Sequence, residues 1–393
     1  MSLTRRGLLR AGSGLLVAGA AAGGLTGLAN LGITAATGAS PAPGRDRPLR
    51  IGYLPITDAS PLLVAHGHGL YGEHDLDVAQ PVLFRSWAGL AEAFLTRQVD
   101  VVHMLMPMAL QLRATVDPGA RVLAWNHTSG SALTVAPQVS DLAQLAGQQV
   151  AIPGWWSIHN IVLQRMLRGA GLEPVIRRGA SARAGTVELI VMSPSDMVPA
   201  LAGGSIAGYT VADPFNAAAE ARGIGRIHRF LGDVWRDHAC CVLLTHDELI
   251  DARPGAVQAL TDSVLAGQQA IVADRAGAAA TLTEMSYLPQ PGPVVARALN
   301  QPADAHAVAH PAWDPHLIGF APFPFPSFTE ALVENMHATV VDGDRTFLDR
   351  LDPAAVHGAL VDDRFVRTAL ERTGGAAAWG LPADLTRTEE IAV

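Results

Sequence analysis

Short apolar runs alternate with amphipathic stretches along most of the chain. Residues 49–53, 78–84, 99–104, 122–125, 132–135, 150–152, 187–192, 208–211 and 240–244 read as strands. Between them, residues 61–70, 87–96, 157–170, 195–202 and 215–222 carry helical spacing. In 157–170, Ile158, Ile161, Val162 and Met166 form one apolar stripe. From Pro254 onward the pattern is mostly helical, and the Pro-, His- and aromatic-rich stretch 289–328 reads as an irregular surface segment. Strand–helix alternation of this kind predicts an α/β fold with mostly parallel sheets.

The first 48 residues break that pattern. Thr4-Arg5-Arg6-Gly7-Leu8-Leu9 is a twin-arginine motif, followed by a mild Ala/Gly-rich apolar stretch and a small-residue cleavage candidate at Thr37-Gly38-Ala39. Those are the three parts of an export signal. An uncleaved anchor is the alternative, since the stretch is about long enough to span a bilayer. Residues 40–48 read as a Pro-rich tether. Domain expectations follow: signal 1–39, tether 40–48, a first lobe 49–135, a second lobe 136–235, and a return to the first lobe with C-terminal helices over 236–393.

Composition narrows the function classes. The 393 residues are 49% hydrophobic, enough for a large core. All 28 basic residues are Arg, and no Lys occurs, which excludes a P-loop NTPase and any Schiff-base lysine enzyme. The net charge of -8 argues against nucleic acid as a partner. Removing 1–39, which carries three Arg and no acid, makes the remainder more acidic still. The two Cys, Cys240 and Cys241, are adjacent; they form neither a disulfide framework nor a zinc ribbon. A vicinal disulfide, a reactive thiol pair and two small buried strand residues all remain open for them, with His238 just upstream.

Other motifs are weaker. Gly67-x-Gly69-x-x-Gly72 imitates a dinucleotide fingerprint but follows a helix, where glycines serve as terminators. His66, His68 and His74 lack the partners of an ordinary zinc site and read as solvated helix-end residues. Trp155-Trp156-Ser157-Ile158-His159-Asn160 follows a strand and opens a helix. Its unpaired N–H groups suit a small anion, and Trp155 reads as a pocket wall, with core packing behind a Ser157 cap as the plainer alternative.

Several stretches resemble the periplasmic solute-binding proteins of ABC importers for nitrate, bicarbonate and sulfonates. They are Gly52-Tyr53-Leu54-Pro55-Ile56-Thr57-Asp58-Ala59-Ser60-Pro61-Leu62, Ser86-Trp87, His103-Met104-Leu105-Met106-Pro107-Met108, and Val211-Ala212-Asp213-Pro214-Phe215-Asn216. The resemblance implies a two-lobe type II binding-protein fold with the ligand between lobes, crossed near residues 135 and 235. It implies a monomer that binds a small-molecule ligand, needs no cofactor, performs no catalysis and docks on an ABC permease in the membrane. In the nitrate-type branch a Trp, a Gln, a His and a Lys hold the ligand. Trp87 and His159 match two of these; Ser131 stands at the Gln position and Cys241 at the Lys position, with His238 three residues before it. Asp213 occupies the second-lobe turn. The missing cation leaves three readings: Arg85 replaces it, protonated His159 and His238 replace it, or the ligand is neutral or binds the paired Cys. Two further functions share this likeness, a pyrimidine synthase or pyrimidine-precursor binding protein of thiamine biosynthesis and a sensor subunit presenting its ligand to a membrane kinase.

Overall fold

Two sheets organise the chain. The computed structural model describes residues 47–302, 306, 308 and 318–392; the segment expected to be an export signal and most of the expected tether lie outside the described residues. The first sheet contains β1 (Ile51–Tyr53), β2 (Val82–Leu83), β3 (Val101–Leu105), β4 (Ala120–Trp125) and β11 (Cys241–His246), in the order β2-β1-β3-β11-β4. The second contains β5 (Ser131–Val135), β6 (Gln149–Ile152), β7 (Glu173–Val175), β8 (Thr186–Val191), β9 (Gly208–Ala212) and β10 (Arg226–Phe230), in the order β10-β5-β9-β6-β8-β7.

Within each lobe, strands joined by helical crossovers run parallel: β1 with β2 and β3, and β6 with β8 and β9. The strands that carry the chain between lobes run against their neighbours. β11 is antiparallel to β3 and β4, and β5 is antiparallel to β9 and β10. β5 belongs to the second sheet, so the first passage between sheets is 126–130 rather than the expected crossing near 135. The second passage between sheets is 231–240. After β11 every regular element among the described residues is helical.

The site depends on α1 (Ser60–Gly67), α2 (Trp87–Leu95), α3 (Met106–Thr115), α4 (Ile158–Gly169), α5 (Phe215–Ala221), α6 (Pro254–Ala273) and α7 (Pro326–Ala338). Two of these start where a hydroxyl caps them: Ser86 accepts from Gly89 N and Ser157 from Asn160 N. α3 was not legible as a helix, because Pro107 stands in its first turn and its residues are buried almost all round. β10 was missed because Arg, His and Arg interrupt its apolar positions.

The interlobe passages are enclosed by aromatics. Trp125 meets Phe325 and Phe328 edge-on, and Trp235 leans on Phe328. Trp125 N donates to Pro322 O, and Thr128 exchanges backbone hydrogen bonds with Gly319. The end of the 289–328 stretch is therefore buried core, not surface: Phe323 and Phe325 are shielded almost completely. Aromatic density, read as irregularity, was the hinge packing. The glycine motif at Gly67 ends α1, with Gly69 left-handed at φ 73°.

α6 lies against α1 closely enough that a Cβ at Gly267 would run into the Pro61 carbonyl oxygen. Gly267→Ala is expected to destabilise the fold by roughly 1–3 kcal/mol, read as a lower urea midpoint at an unchanged slope.

Candidate functional site

Three chain segments meet beneath the interlobe junction. The loop after β1 supplies Asp58, the first passage supplies His127, the last residue of the second passage is Cys240, and the first residue of β11 is Cys241. All four are fully buried, and their ligating atoms lie within 4.8 Å of one another. His127 Nε2 is 2.9 Å from Asp58 Oδ2. Cys241 Sγ is 3.5 Å from the same Asp58 oxygen and 3.8 Å from Cys240 Sγ; both thiols are free.

Local structure explains the convergence. The Asp58 backbone carbonyl accepts from Asn126 Nδ2, which ties the loop after β1 to the first passage. Gln268 of α6 donates to the carbonyls of Trp125 and Asn126 at 3.0 and 2.9 Å. Cys241 pairs with Leu105 in the sheet, and its carbonyl accepts from Asn126 N at 3.0 Å. Cys240 precedes the strand, so strand alternation does not turn its thiol to the opposite face.

The second lobe closes over this cluster. His159 sits in the first turn of α4; its Nε2 is 3.0 Å from Ser131 Oγ and 3.9 Å from Cys240 Sγ. Asp213, at the end of β9, accepts from Thr57 N and Thr57 Oγ1 through its backbone carbonyl, at 2.8 and 3.0 Å. Its side chain accepts from Ala217 N. On the first lobe, Trp87 opens α2 with its ring 5.4 Å from that of His103 on β3. His238 Nδ1 is 2.8 Å from the Trp235 carbonyl.

A concentration of unanswered polar atoms marks this region. Asp58 Oδ1, Trp87 Nε1, both His103 ring nitrogens, His127 Nδ1, His159 Nδ1 and His238 Nε2 are buried without a hydrogen-bond partner. Such atoms are uncommon in native interiors and each costs about 1–3 kcal/mol unless something satisfies it.

Charge is divided unevenly. Burial pushes Asp58 up to about 6 despite His127. Burial alone would lower His127, but the Asp58 charge and hydrogen bond, with Cys240, carry it up to about 10. Its Nε2 faces both Asp58 and the Cys241 N–H at 3.2 Å; protonated, it donates to Asp58. Burial also disfavours the Cys240 thiolate, yet the Cys241 thiol, His159 and His127 outweigh burial and hold Cys240 well below the usual thiol range. Burial and the neighbouring Cys240 push Cys241 well up. Burial lowers His103 to about 3 and His238 to about 4, so both are neutral near pH 7. Of the three readings left open for the missing cation, the one that needs a protonated His238 is disfavoured by its burial, while His127 is the histidine of the cluster that is raised.

Of the residues picked out by sequence, Trp87, Ser131, His159, Asp213, His238 and Cys241 are buried around this junction. Trp155 is half-buried against the apolar core, and Trp156 packs edge-on against Phe347 as a core residue. The sequence presents Asp58 only as one residue of a longer run of resemblance, and His127 does not stand out in it. Its signal was a polar run, Asn126-His127-Thr128-Ser129-Gly130, set between two apolar strands. His66 and His68 are occupied elsewhere, with Tyr287 and Thr281.

The profile of the NMT1-like family matches residues 42–286, from before β1 to beyond α6. The chain belongs to the NMT1-like family. A curated relative, the nitrate/nitrite binding protein NrtA of Nostoc sp., is 22% identical over 243 residues, 56% of this chain and 53% of its own. The curated relatives are longer proteins, matched over 34% to 59% of their length. Among solved structures, the periplasmic nitrate-binding protein NrtA from Synechocystis PCC 6803 superposes with a TM-score of 0.71 at 18% identity, covering 86% of this chain and 92% of that one. The ligand-binding component of an ABC-type import system from Staphylococcus aureus, solved with zinc bound, gives 0.65 at 20% identity, covering 82% and 99%. These likenesses establish the two-lobe periplasmic-binding-protein fold.

Two predictions follow from this geometry. Burial raises Asp213 to about 7, so the folded chain keeps that proton when the unfolded chain has lost it. Stability therefore falls as pH rises from about 4 to about 7, by up to about 4 kcal/mol for this group. Asp213→Asn, which keeps the acceptor for Ala217 N, is expected to flatten that decline; an unchanged slope of melting temperature against pH would refute the assignment. Secondly, both thiols should resist a thiol reagent in the native protein and titrate fully once it is unfolded without reductant.

Proposed function

We propose that the chain is the extracytoplasmic solute-binding component of an ABC importer, capturing a small polar solute between its lobes and presenting it to a membrane permease. The observation that carries this reading is the set of buried, unpartnered polar atoms that both lobes and both passages aim at one junction. A solute that pairs with several of them stabilises the closed arrangement and leaves them costly when it departs. Names in the same family point the same way, since NrtA is a nitrate/nitrite binding protein. The reading is of a binding protein rather than an enzyme. Without Lys, a pyrimidine synthase that needs an active-site lysine has no candidate residue here.

Export by the twin-arginine route is part of the proposal. It rests on Arg5 and Arg6 and on the acidic, lysine-free remainder of the chain. No helix among the described residues is long and apolar enough to cross a membrane. The same reading makes the protein a monomer that meets an ATP-driven permease at the bilayer surface.

Capture is tested by thermal shift against nitrate, nitrite, bicarbonate, sulfonates and divalent metals, with reductant. A true ligand at 100 times its Kd adds about 2.7 kcal/mol; no shift with any solute would overturn the reading. Trp87→Phe removes the unpartnered indole N–H but keeps a ring against His103. Where the ligand found is an oxyanion, it is expected to weaken binding by about tenfold, the worth of one hydrogen bond, without a large fall in melting temperature; binding of a metal cation is expected to be unaffected. Arg5→Lys with Arg6→Lys should hold the precursor inside the cell, and normal export would refute the twin-arginine route.

A further inference from the structure

We propose that Asp58, His127, Cys240 and Cys241 are the four ligands of one divalent transition-metal ion of the zinc–cobalt kind, and that this ion is the solute the cleft takes. The inference names the ligand class of the proposed capture site, and so rests on the solute-capture reading.

The donor set comes first. Two sulfurs, one imidazole nitrogen and one carboxylate oxygen suit a borderline or soft metal and are poor ligands for Mg²⁺ or Ca²⁺, which prefer oxygen. The spacing agrees. Bonds of about 2.3 Å to sulfur and about 2.0 Å to oxygen, arranged tetrahedrally, require edges of about 3.8 Å between sulfurs and about 3.5 Å between sulfur and oxygen. The observed edges are 3.8 Å for Cys240–Cys241 and 3.5 Å for Cys241–Asp58. The His127–Asp58 edge, at 2.9 Å, is shorter than a tetrahedron needs, because the two groups hydrogen bond to one another. A shift of a few tenths of an ångström opens it.

The surroundings fit the same ion. All four ligands are fully shielded from water, so an ion there exchanges hydration for protein donors only. Asp58 Oδ1 has no partner, leaving the carboxylate free to turn toward a metal. Outside the four ligands, His159 Nε2 stands 3.9 Å from Cys240 Sγ and is steadied by Ser131, which gives one thiolate a polar neighbour from the second lobe. The ligands come from the loop after β1 and from both interlobe passages. Binding therefore joins the two hinge segments to the first lobe, which couples occupancy to lobe position.

This also accounts for the substitution at the position where the resemblance puts a lysine. With Cys241 there, and Asp58 beside it, the centre of the junction is richer in anionic donors than in cations. An oxyanion would face carboxylate and thiolate; a metal cation would be neutralised by them. Coordination needs thiolates and a neutral imidazole. Thiol and imidazolium protons present in the empty cluster leave to solvent as the divalent ion enters.

The test is a Co²⁺ titration of the reduced, metal-stripped full-length chain, followed by Zn²⁺ displacement, with Mg²⁺, nitrate and bicarbonate titrated in parallel. The expected result is one Co²⁺ per chain, with thiolate-to-cobalt charge-transfer bands and strong visible absorption of a tetrahedral centre, erased by Zn²⁺ and untouched by Mg²⁺. Cys240→Ser and Cys241→Ser should each remove part of the charge-transfer intensity and cost more than the roughly 10–100-fold in affinity typical of losing an outer-shell partner. Asp58→Asn, which leaves both sulfurs in place, should weaken Co²⁺ while keeping the sulfur bands; it serves if a serine variant does not fold. Cobalt binding without sulfur bands, or unchanged in these variants, would overturn the metal site. No metal binding together with a thermal shift by nitrate or bicarbonate would overturn it while leaving solute capture standing. Failure of metals and oxyanions alike would remove both readings.

Discussion

The buried pairing of Asp58 with His127 is the constraint around which the junction is arranged. Both groups are wholly out of water. Desolvating two charges costs several kcal/mol each, recovered only when geometry and further hydrogen bonds are good. Here Asp58 Oδ2 meets His127 at 2.9 Å while Oδ1 meets nothing, so the recovery is incomplete. A charge pair in that condition is poor as a stabilising device. It is better understood as a site whose remaining valences await something, and the two sulfurs beside it, 3.8 Å apart with one of them 3.5 Å from Asp58 Oδ2, bear on what that is.

The scaffold spends many of its polar contacts keeping this pair in place. Asn126 holds the Asp58 carbonyl, and Gln268 holds the carbonyls of Trp125 and Asn126. Around them Trp125, Trp235, Phe325 and Phe328 wrap the outside of both passages. The C-terminal segment adds its own ties: Arg236 N donates to Glu390 O, and Trp235 Nε1 to Glu389. Yet the passages contain left-handed residues, Ser129 and Gly130 in the first and Asp237 in the second. Those are backbone states where a small change in dihedral angle redirects the chain. Rigid clamps on either side and unusual dihedrals between them are what a hinge between two sheets requires.

Much of the fold was legible because parallel strands buried on both faces read as apolar runs, and their helices as amphipathic ones. Trp87, Ser131, His159 and Asp213 were legible through a likeness in local sequence at strand ends and helix starts. His127 was not, because nothing in Asn126-His127-Thr128 separates a ligand from a polar turn until β4 and β5 prove to lie in different sheets. The sheet change at 126–130 was hidden for a related reason: two apolar strands divided by five residues look like neighbours in one sheet. The Phe-rich segment before α7 was misjudged because proline and aromatic residues mark irregular backbone, and irregular backbone is usually exposed. At a hinge it is buried.

The adjacent cysteines show why residue type and environment must be weighed together. In a strand, neighbouring side chains point to opposite faces, so a Cys-Cys pair read from sequence suggests one sulfur in each direction. The first Cys precedes β11, however, and both sulfurs turn into the same cluster. Once there, they cannot both be ionised at modest cost, since like charges 3.8 Å apart in a buried site repel strongly. His127 and His159 favour the Cys240 thiolate, while burial and the neighbouring Cys240 push the Cys241 thiol up. The result is an unequal pair, one sulfur prepared as a donor and the other needing a cation before it can become one. An oxyanion would add to that repulsion, whereas a metal ion would relieve it. The departure from the resemblance at Cys241 therefore sets a thiol beside the Asp58 carboxylate, on a fold that is otherwise retained.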